Sequence, residues 1–209
     1  MTESDHNRRP IAARDTGWAR AIAARLVNSN ITPNQISLAS VLFAALGAAA
    51  LLWWPTIAGL LTCAICIQLR LLCNLIDGMV AVEGGKASPL GRIYNEFPDR
   101  ITDTLFIVAA GYAAQAPWLG WLGAVFAVGT AYVRVFGGSL GLAQDFRGPV
   151  AKQQRMALLT LGCLAAMAEV HWHAEPRALF IASALVAAGS FITCMTRTRA
   201  IVVQLRRQP

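Results

Sequence analysis

The feature that most constrains this chain is a succession of long apolar runs, separated by short stretches that hold most of the charged residues. Each run has roughly 20 residues, which as a helix is long enough to cross the ~30 Å hydrocarbon core of a bilayer. Hydrophobic residues make up 56% of the chain and charged residues only 14%, a composition that excludes a water-soluble fold. The sequence therefore predicts an all-α integral membrane protein.

Six transmembrane helices are predicted from these runs. They cover residues 36–54, 56–82, 90–112, 117–140, 156–170 and 178–195. The connections that follow the second and fourth spans contain basic residues, whereas those after the first and third contain none. Because basic residues concentrate in cytoplasmic loops, both termini are expected to be cytoplasmic, in an inner membrane of bacterial type.

The stretch before the first span is predicted to be a cytoplasmic segment, residues 1–33, with an amphipathic helix on the membrane surface. Ile11, Trp18, Ile22 and Leu26 recur at helical spacing opposite a polar side. The first residues are polar and lack the apolar region of a secretory signal peptide, so no cleavage is expected. Residues 34–209 are expected to form one six-helix transmembrane domain.

The basic residues and the cysteines exclude two further classes of protein. The net charge is +7, but the bases flank the apolar runs and no basic patch is interleaved with aromatic residues, so nucleic acid is not an expected partner. All five cysteines lie inside apolar runs, where cysteine packs as a small hydrophobic residue. A disulfide framework is therefore not expected.

Polar and ionisable side chains gather near the predicted cytoplasmic end of the second and third spans. They occupy one helical face on each: Asn74, Asp77, Gly78 and Ala81 on the second, and Gly91, Asn95, Asp99 and Asp103 on the third. Because a short connection joins the two helices, the faces are expected to meet. Ionisable groups inside a membrane are costly and usually functional, so we expect a pocket of oxygen ligands open to the cytosol.

The spacing of these residues resembles the signature of the CDP-alcohol phosphotransferase family, D-x2-D-G-x2-A-R-x8-G-x3-D-x3-D. The chain fits that spacing at every step from residue 74 to residue 99. Asn74 and Asn95 stand at the first and third aspartate positions, and Val82 stands at the arginine position. The amphipathic N-terminal helix, the I-T-P-N entry to the first span and the basic connection before the fifth extend the resemblance along the chain.

The resemblance implies an enzyme that moves a phosphatidyl group from CDP-diacylglycerol to a polar alcohol acceptor and releases CMP. It also implies a homodimer embedded among membrane lipids. In the family the aspartates hold two divalent ions, and the last aspartate is the base. Carried over by position, Asp99 is the catalytic base and a metal ligand, Asp77 is a metal ligand, and Asn74 and Asn95 are ligands through their amide oxygens.

The expected cofactor is Mg²⁺ or Mn²⁺, bound weakly in the absence of substrate because two carboxylates are missing. Substrate pyrophosphate can restore part of that negative charge, so a substrate-assisted or one-metal site is a second possibility. The positions expected to contact substrate are Gly78, Ala81 and Gly91 on the matched motif, and Arg134, Lys152 and Arg155 on the later spans.

Several readings stay open at the level of sequence. Arg134 fits a phosphate partner or snorkelling to the interface, and Lys152 and Arg155 fit phosphate binding or ordinary loop charge bias. Arg100 and Asp103 are expected to pair and support Asp99. The alternative function is a catalytically silent relative that binds lipid or nucleotide, while a transporter is disfavoured because no paired broken helices are evident. The acceptor stays open among polar alcohols, glycerol phosphate, serine and inositol phosphates.

Overall fold

The computed structural model describes residues 16–54, 56–86 and 90–207, and these form seven α-helices without a β-strand. The helices are α1 Gly17–Val27, α2 Pro33–Trp53, α3 Ile57–Glu83, α4 Gly91–Ala113, α5 Pro117–Ser139, α6 Lys152–His171 and α7 Ala178–Leu205. The all-α prediction is confirmed. The first part of the predicted interfacial helix, residues 11–15, lies outside the described residues.

Local signals explain where the first membrane helix begins. The Thr32 hydroxyl accepts a hydrogen bond from the Gln35 backbone N–H at 3.3 Å, and the Gln35 side chain accepts one from the Thr32 N–H at 2.9 Å. This reciprocal capping box satisfies two N–H groups that a helix start otherwise leaves unpaired. Pro33 occupies the first turn, where its fixed φ suits a helix and no N–H is needed.

Four of the described helices, α2, α3, α5 and α7, are long and apolar enough to cross a membrane. The chain is therefore an integral membrane protein. The helices α4 and α6 have 23 and 20 residues but fall short in hydropathy. Charged residues lower it, such as Asp99 and Asp103 between the start and the middle of α4, and Arg155 in the first turn of α6.

The helices pack as a bundle in which α2 contacts α3 and α4, α5 contacts α4 and α7, and α6 contacts α3 and α7. Glycines permit the closest crossing: a Cβ added at Gly111 of α4 would lie 2.5 Å from the Gly120 Cα of α5. Small residues at such crossings let membrane helices approach closely. By contrast α3 and α4 pack on each other little, although they follow each other in sequence. Side chains span the space between them.

The short helix α1 lies against α3. Ala19 and Ala23 of α1 are buried with Leu75 and Met79 of α3. The Lys86 ammonium, in the connection after α3, donates to the Ser29 carbonyl at 2.7 Å just beyond the end of α1. A cation at this position satisfies carbonyls that the helix leaves unpaired. These contacts hold α1 at the same end of the bundle as the residue cluster described next.

Candidate active site

The predicted site residues converge at one end of the bundle, where α2, α4 and α6 begin and α3, α5 and α7 end. We call this the charged end. Asp99 is at its centre: one carboxylate oxygen accepts hydrogen bonds from Arg70 at 3.1 Å and from the Asn74 amide at 3.0 Å, and the other accepts one from Lys152. Lys152 also donates to the Asn74 amide oxygen at 2.7 Å. Side chains from α3, α4 and α6 thus meet at one carboxylate.

The two polar faces meet as the sequence predicts, and Asn74 joins them. Its amide nitrogen faces both Asp99, at 3.0 Å, and the Asn95 amide oxygen, at 3.5 Å. Asn95 is exposed, whereas Asn74 is half-buried. An amide has both a donor and an acceptor, so it can bridge groups in a way that a carboxylate cannot.

Asp77 lies on the same face of α3 and is held by a residue that sequence reasoning missed. Ser37, in the first turns of α2, donates a hydrogen bond to the buried Asp77 carboxylate at 2.5 Å. Asp77 is close enough to Asp99 and Lys152 for their charges to act on it. Among the described residues it forms no salt bridge, in contrast to Asp99. No sequence pattern links Ser37 to a residue 40 positions later.

The expected pairing of Arg100 with Asp103 is wrong. Asp103 instead accepts from Arg70 at 2.7 Å and from Arg155 at 3.0 Å, and all three side chains are buried. The nearest carboxylate oxygens to Arg100 belong to Glu96, at 3.8 Å, and Asp99, at 3.7 Å. One turn of α4 separates Asp99 from Asp103, which places Asp103 deeper in the bundle, where Arg70 and Arg155 lie.

The sequence predicts that Arg155 contacts substrate, but its guanidinium is turned toward the interior of the bundle. The residue is 1% exposed and donates to Asp103, to the Thr130 hydroxyl at 3.3 Å and to the Val150 carbonyl at 3.2 Å. Lys152, one turn earlier on α6, reaches Asp99 instead. The two basic residues in the first turn of α6 therefore occupy different environments. Lys152 lies beside Asp99, and Arg155 lies within the protein interior.

Arg134 connects three parts of the charged end. It pairs with Glu96 of α4, donates to the Gln144 side chain at 2.6 Å and lies 5.3 Å from the centre of the Phe146 ring. Its side chain is 12% exposed, so it is a partly buried cation with a carboxylate partner and does not snorkel freely. The remaining predicted positions, Gly78, Ala81 and Gly91, are half-buried at the end of α3 and the start of α4.

The connection between α5 and α6 has an ion pair of its own. Arg147 donates three hydrogen bonds from its side chain to Asp145, at 2.9, 3.0 and 3.2 Å, and one from its backbone N–H at 2.9 Å. Partial burial raises the pKa of the Asp145 carboxyl, but the hydrogen bonds from Arg147 outweigh it and the pKa lies below its usual value. The Arg147 side chain itself is largely exposed.

A cavity of about 490 Å³ adjoins the cluster. Its walls are mostly apolar, formed by α1, α3 and α6, and its polar residues include Asn74 and Lys152, two of the side chains that contact Asp99. The lining residues are Trp18, Ile65, Gln68, Leu69, Leu71, Leu72, Asn74, Leu75, Lys152 and Gln153. Such a cavity suits a molecule with an apolar body and a polar head.

The oxygen atoms available as metal ligands at this site fit one divalent ion whose coordination is completed by substrate oxygens. They do not fit a pair of ions. Among the residues that the structure describes, no group of three or more His, Cys, Asp or Glu side chains could hold a metal. Both oxygens of Asp99 already accept hydrogen bonds from basic side chains, whereas Asp77 has a hydroxyl partner. Mg²⁺ is commonly held by one or two carboxylates together with substrate phosphates.

Comparison with known proteins places this arrangement in a family. The chain is 32% identical to the archaetidylinositol phosphate synthase of Aeropyrum pernix over 189 residues, which is 90% of this chain and 92% of that one. It is 23% identical to the phosphatidylinositol phosphate synthase of Mycolicibacterium smegmatis over 195 residues, 88% of this chain and 83% of that one. No family model matches the chain.

Solved structures show the same fold. The phosphatidylinositol phosphate synthase of Mycobacterium tuberculosis with CDP-DAG bound superposes with a TM-score of 0.71 at 21% identity, over 88% of this chain and 92% of that one. The same protein in complex with manganese and citrate gives a TM-score of 0.71 at 21% identity, over 88% of each chain. A divalent metal is thus found in this group of proteins, in accord with the expected cofactor.

The chain belongs to the CDP-alcohol phosphatidyltransferase family, as the spacing of its motif predicts. It is a membrane enzyme of phospholipid synthesis that moves a phosphatidyl group to an alcohol acceptor.

Proposed function

We propose that the enzyme transfers the phosphatidyl group of CDP-diacylglycerol to a phosphorylated polyol of the inositol phosphate class. The observation that supports the lipid donor best is the apolar cavity that ends at Asn74 and Lys152, beside Asp99. The apolar wall of the cavity suits an acyl chain of the donor lipid, and the polar end of the cavity suits the donor phosphates. Both curated relatives are named as inositol phosphate lipid synthases, which supports the acceptor.

The basic residues around Asp99 also favour a phosphorylated acceptor. Arg100 of α4, Arg134 of α5 and Lys152 of α6 have side chains only 23%, 12% and 11% exposed. Guanidinium and ammonium groups in such partly buried positions form strong hydrogen bonds with phosphate. Arg155, enclosed with Asp103, positions α4 and α6 and does not contact substrate in this account.

In the proposed reaction Asp99 is the base. Its carboxylate takes the proton of the acceptor hydroxyl while the acceptor oxygen forms a bond to the phosphorus that bears the diacylglycerol. The bond from that phosphorus to CMP breaks, and CMP leaves with the electron pair. Arg70 and Lys152 donate hydrogen bonds to the two oxygens of Asp99 and so hold its carboxylate in place.

Asp77 would hold a divalent ion together with the pyrophosphate of the donor, with Asn95 offering its amide oxygen, whereas the Asn74 amide oxygen accepts from Lys152. An ion at this position neutralises phosphate charge. Ser37 orients the Asp77 carboxylate from α2. Gly78, Ala81 and Gly91 present little side chain at the half-buried rim, which leaves room for the nucleotide.

We further propose six spans with α1 at the interface. At 1.5 Å per residue α4 and α6 are about 35 Å and 30 Å long, which is enough to cross a bilayer. Their buried charges pair with one another inside the bundle, as Asp103 does with Arg155, and so do not face lipid. In this proposal residues 1–33 form the cytoplasmic N-terminal segment and residues 34–209 form the transmembrane domain. The charged end faces the cytoplasm, the membrane is an inner membrane of bacterial type, and the enzyme is a homodimer.

An acceptor comparison tests the proposal. The purified enzyme in nanodiscs is given CDP-diacylglycerol, Mg²⁺ and one of inositol phosphate, inositol, glycerol phosphate or serine, and CMP release is measured. We expect inositol phosphate to give at least tenfold faster release than the others. Faster release with glycerol phosphate or serine would refute the acceptor and leave the transferase in place. Binding of CDP-diacylglycerol without CMP release for any acceptor would indicate the catalytically silent relative.

A further inference from the structure

The environment of the Lys152 ammonium is that of a bound cation. Its nitrogen contacts a carboxylate oxygen of Asp99 and, at 2.7 Å, the amide oxygen of Asn74. These oxygens come from two different helices, α4 and α3, and the lysine comes from a third, α6. The side chains of Lys152 and Asp99 are only 11% and 12% exposed. The ammonium therefore fills the point at which oxygen atoms of the two polar faces converge.

Asn74 is the side chain that suits this arrangement. An ammonium only donates hydrogen bonds, so the amide oxygen must face Lys152, and the amide nitrogen is then directed to Asp99. An aspartate at position 74 has no donor for Asp99 and would place two like charges side by side. With asparagine, the single charge of Asp99 is balanced by monovalent cations that belong to the protein, Lys152 and Arg70.

We propose that Lys152 is the internal cation of this active site. Its ammonium takes the place of a divalent ion at the oxygens of Asn74 and Asp99, so that the enzyme binds one divalent ion per chain, on the side of Asp77. This inference rests on the proposed function, because the ion at Asp77 is completed by a nucleotide pyrophosphate. Lys152 is then a positioning residue for Asp99 that also supplies a fixed positive charge next to the donor phosphates.

Counting bound ions tests the inference without turnover. Mn²⁺ binding is measured by electron paramagnetic resonance on the purified full-length protein in detergent with saturating CDP. The wild type is expected to bind one ion per chain. The variant Lys152→Met with Asn74→Asp removes the ammonium and adds a carboxylate beside Asp99, so it is expected to bind two. Asn74→Asp alone keeps the ammonium and is expected to bind one.

The matched control is Gln154→Met, an exposed position two residues further along α6, which is expected to bind one ion. Zero or two ions on the wild type would overturn the inference, and so would a count of one on the folded double variant. If the double variant does not give a monodisperse protein, Lys152→Met alone takes its place, again with two ions expected. Failure of the proposed function is distinct, since it would appear as absent CMP release from CDP-diacylglycerol.

Discussion

Asp99 differs from the other carboxylates of the charged end in what surrounds it. Asp103 is enclosed by Arg70 and Arg155, and Glu96 is paired with Arg134. Asp99 shares Arg70 with Asp103 but also contacts Asn74 and Lys152, two of the side chains that line the cavity. A group bound in the cavity with its polar end at these residues would lie next to the Asp99 carboxylate, which is why we assign the base to this residue.

Asp99→Asn is expected to lower the rate of CMP release by about 10²- to 10⁴-fold, the usual contribution of a general base. The affinity for CDP-diacylglycerol should change by less than about tenfold, which corresponds to 1.4 kcal/mol, because Arg70 and Lys152 remain to attract phosphate. Turnover and lipid binding are measured in nanodiscs, with Asp145→Asn as the control carboxylate. Near-parental turnover of Asp99→Asn would show that another group takes the proton.

The hydrogen bond between Ser37 and Asp77 should be measurable as stability. Ser37→Ala leaves the buried Asp77 carboxylate without its hydroxyl donor, and hydrogen bonds to charged groups contribute about 1.5–3 kcal/mol. We expect the unfolding free energy to fall by that amount. Ser40→Ala is the control, because Ser40 is also buried but donates to the Ser37 carbonyl within the same helix. If Ser37→Ala and Ser40→Ala lower the unfolding free energy equally, the hydrogen bond to Asp77 contributes no more to stability than a hydrogen bond within the helix.

At the scale of helices, hydropathy predicted where each element lies, and it predicted the ends of α3 and α5 to within one residue, but it did not predict where α7 ends. The helix α7 runs to Leu205, ten residues past the predicted end of the last span. Its polar continuation includes Arg197, which is 5% exposed and donates to the carbonyls of Arg147 and Thr130 at 2.8 Å and 2.7 Å. A charged residue lowers the hydropathy profile whether its side chain is directed into the bundle or lies where a helix ends. The profile therefore could not show that α7 continues past Arg197.

The polar faces of α3 and α4 were predictable because helical spacing fixes which residues share a face. The partners of those faces were not. Ser37 and Asp77 are 40 residues apart, and Arg155 and Asp103 are 52 apart, so only the packing of α2 and α6 brings them together. The wrong Arg100–Asp103 pair has the same cause, because a local pairing was preferred where Arg70 and Arg155 were nearer in space.

The ion pairs of Asp103 tie α3, α4 and α6 together, and their removal should destabilise the bundle. Asp103→Leu leaves the buried Arg155 guanidinium without a carboxylate and leaves Arg70 with Asp99 alone, and breaking a buried ion pair costs about 3–5 kcal/mol. The measurement is the unfolding free energy in mixed micelles for Asp103→Leu, Arg155→Met and the double variant. We expect the double variant to lose less than the sum of the two single losses, and strict additivity would contradict the coupling.

The whole molecule has a charged end and a broad apolar surface around its flanks. Exposed large hydrophobic side chains such as Leu42, Leu46, Val125 and Leu161 lie along α2, α5 and α6, away from the charged end. Exposed apolar side chains in this number fit contact with lipid. In the proposed six-span arrangement, the connection before α7 lies on the side of the membrane opposite the charged end.

Single-cysteine labelling tests this orientation. All five native cysteines, which are free thiols, are replaced by alanine, and one cysteine is introduced at Glu175 or at Arg207, both of which are exposed. With a membrane-impermeant maleimide added to intact cells, we expect the Glu175→Cys variant to be labelled and the Arg207→Cys variant to react only after the membrane is opened. The reverse pattern would place the active site on the outer side.

The central claim is that this site, with asparagine at two aspartate positions, still transfers a phosphatidyl group. The most direct measurement follows CMP and the new lipid together, with CDP-diacylglycerol and inositol phosphate in nanodiscs. We expect the two products to appear in equal amounts and only when the acceptor is present. Unchanged CDP-diacylglycerol, or CMP accompanied by phosphatidic acid whether or not the acceptor is added, would contradict the claim.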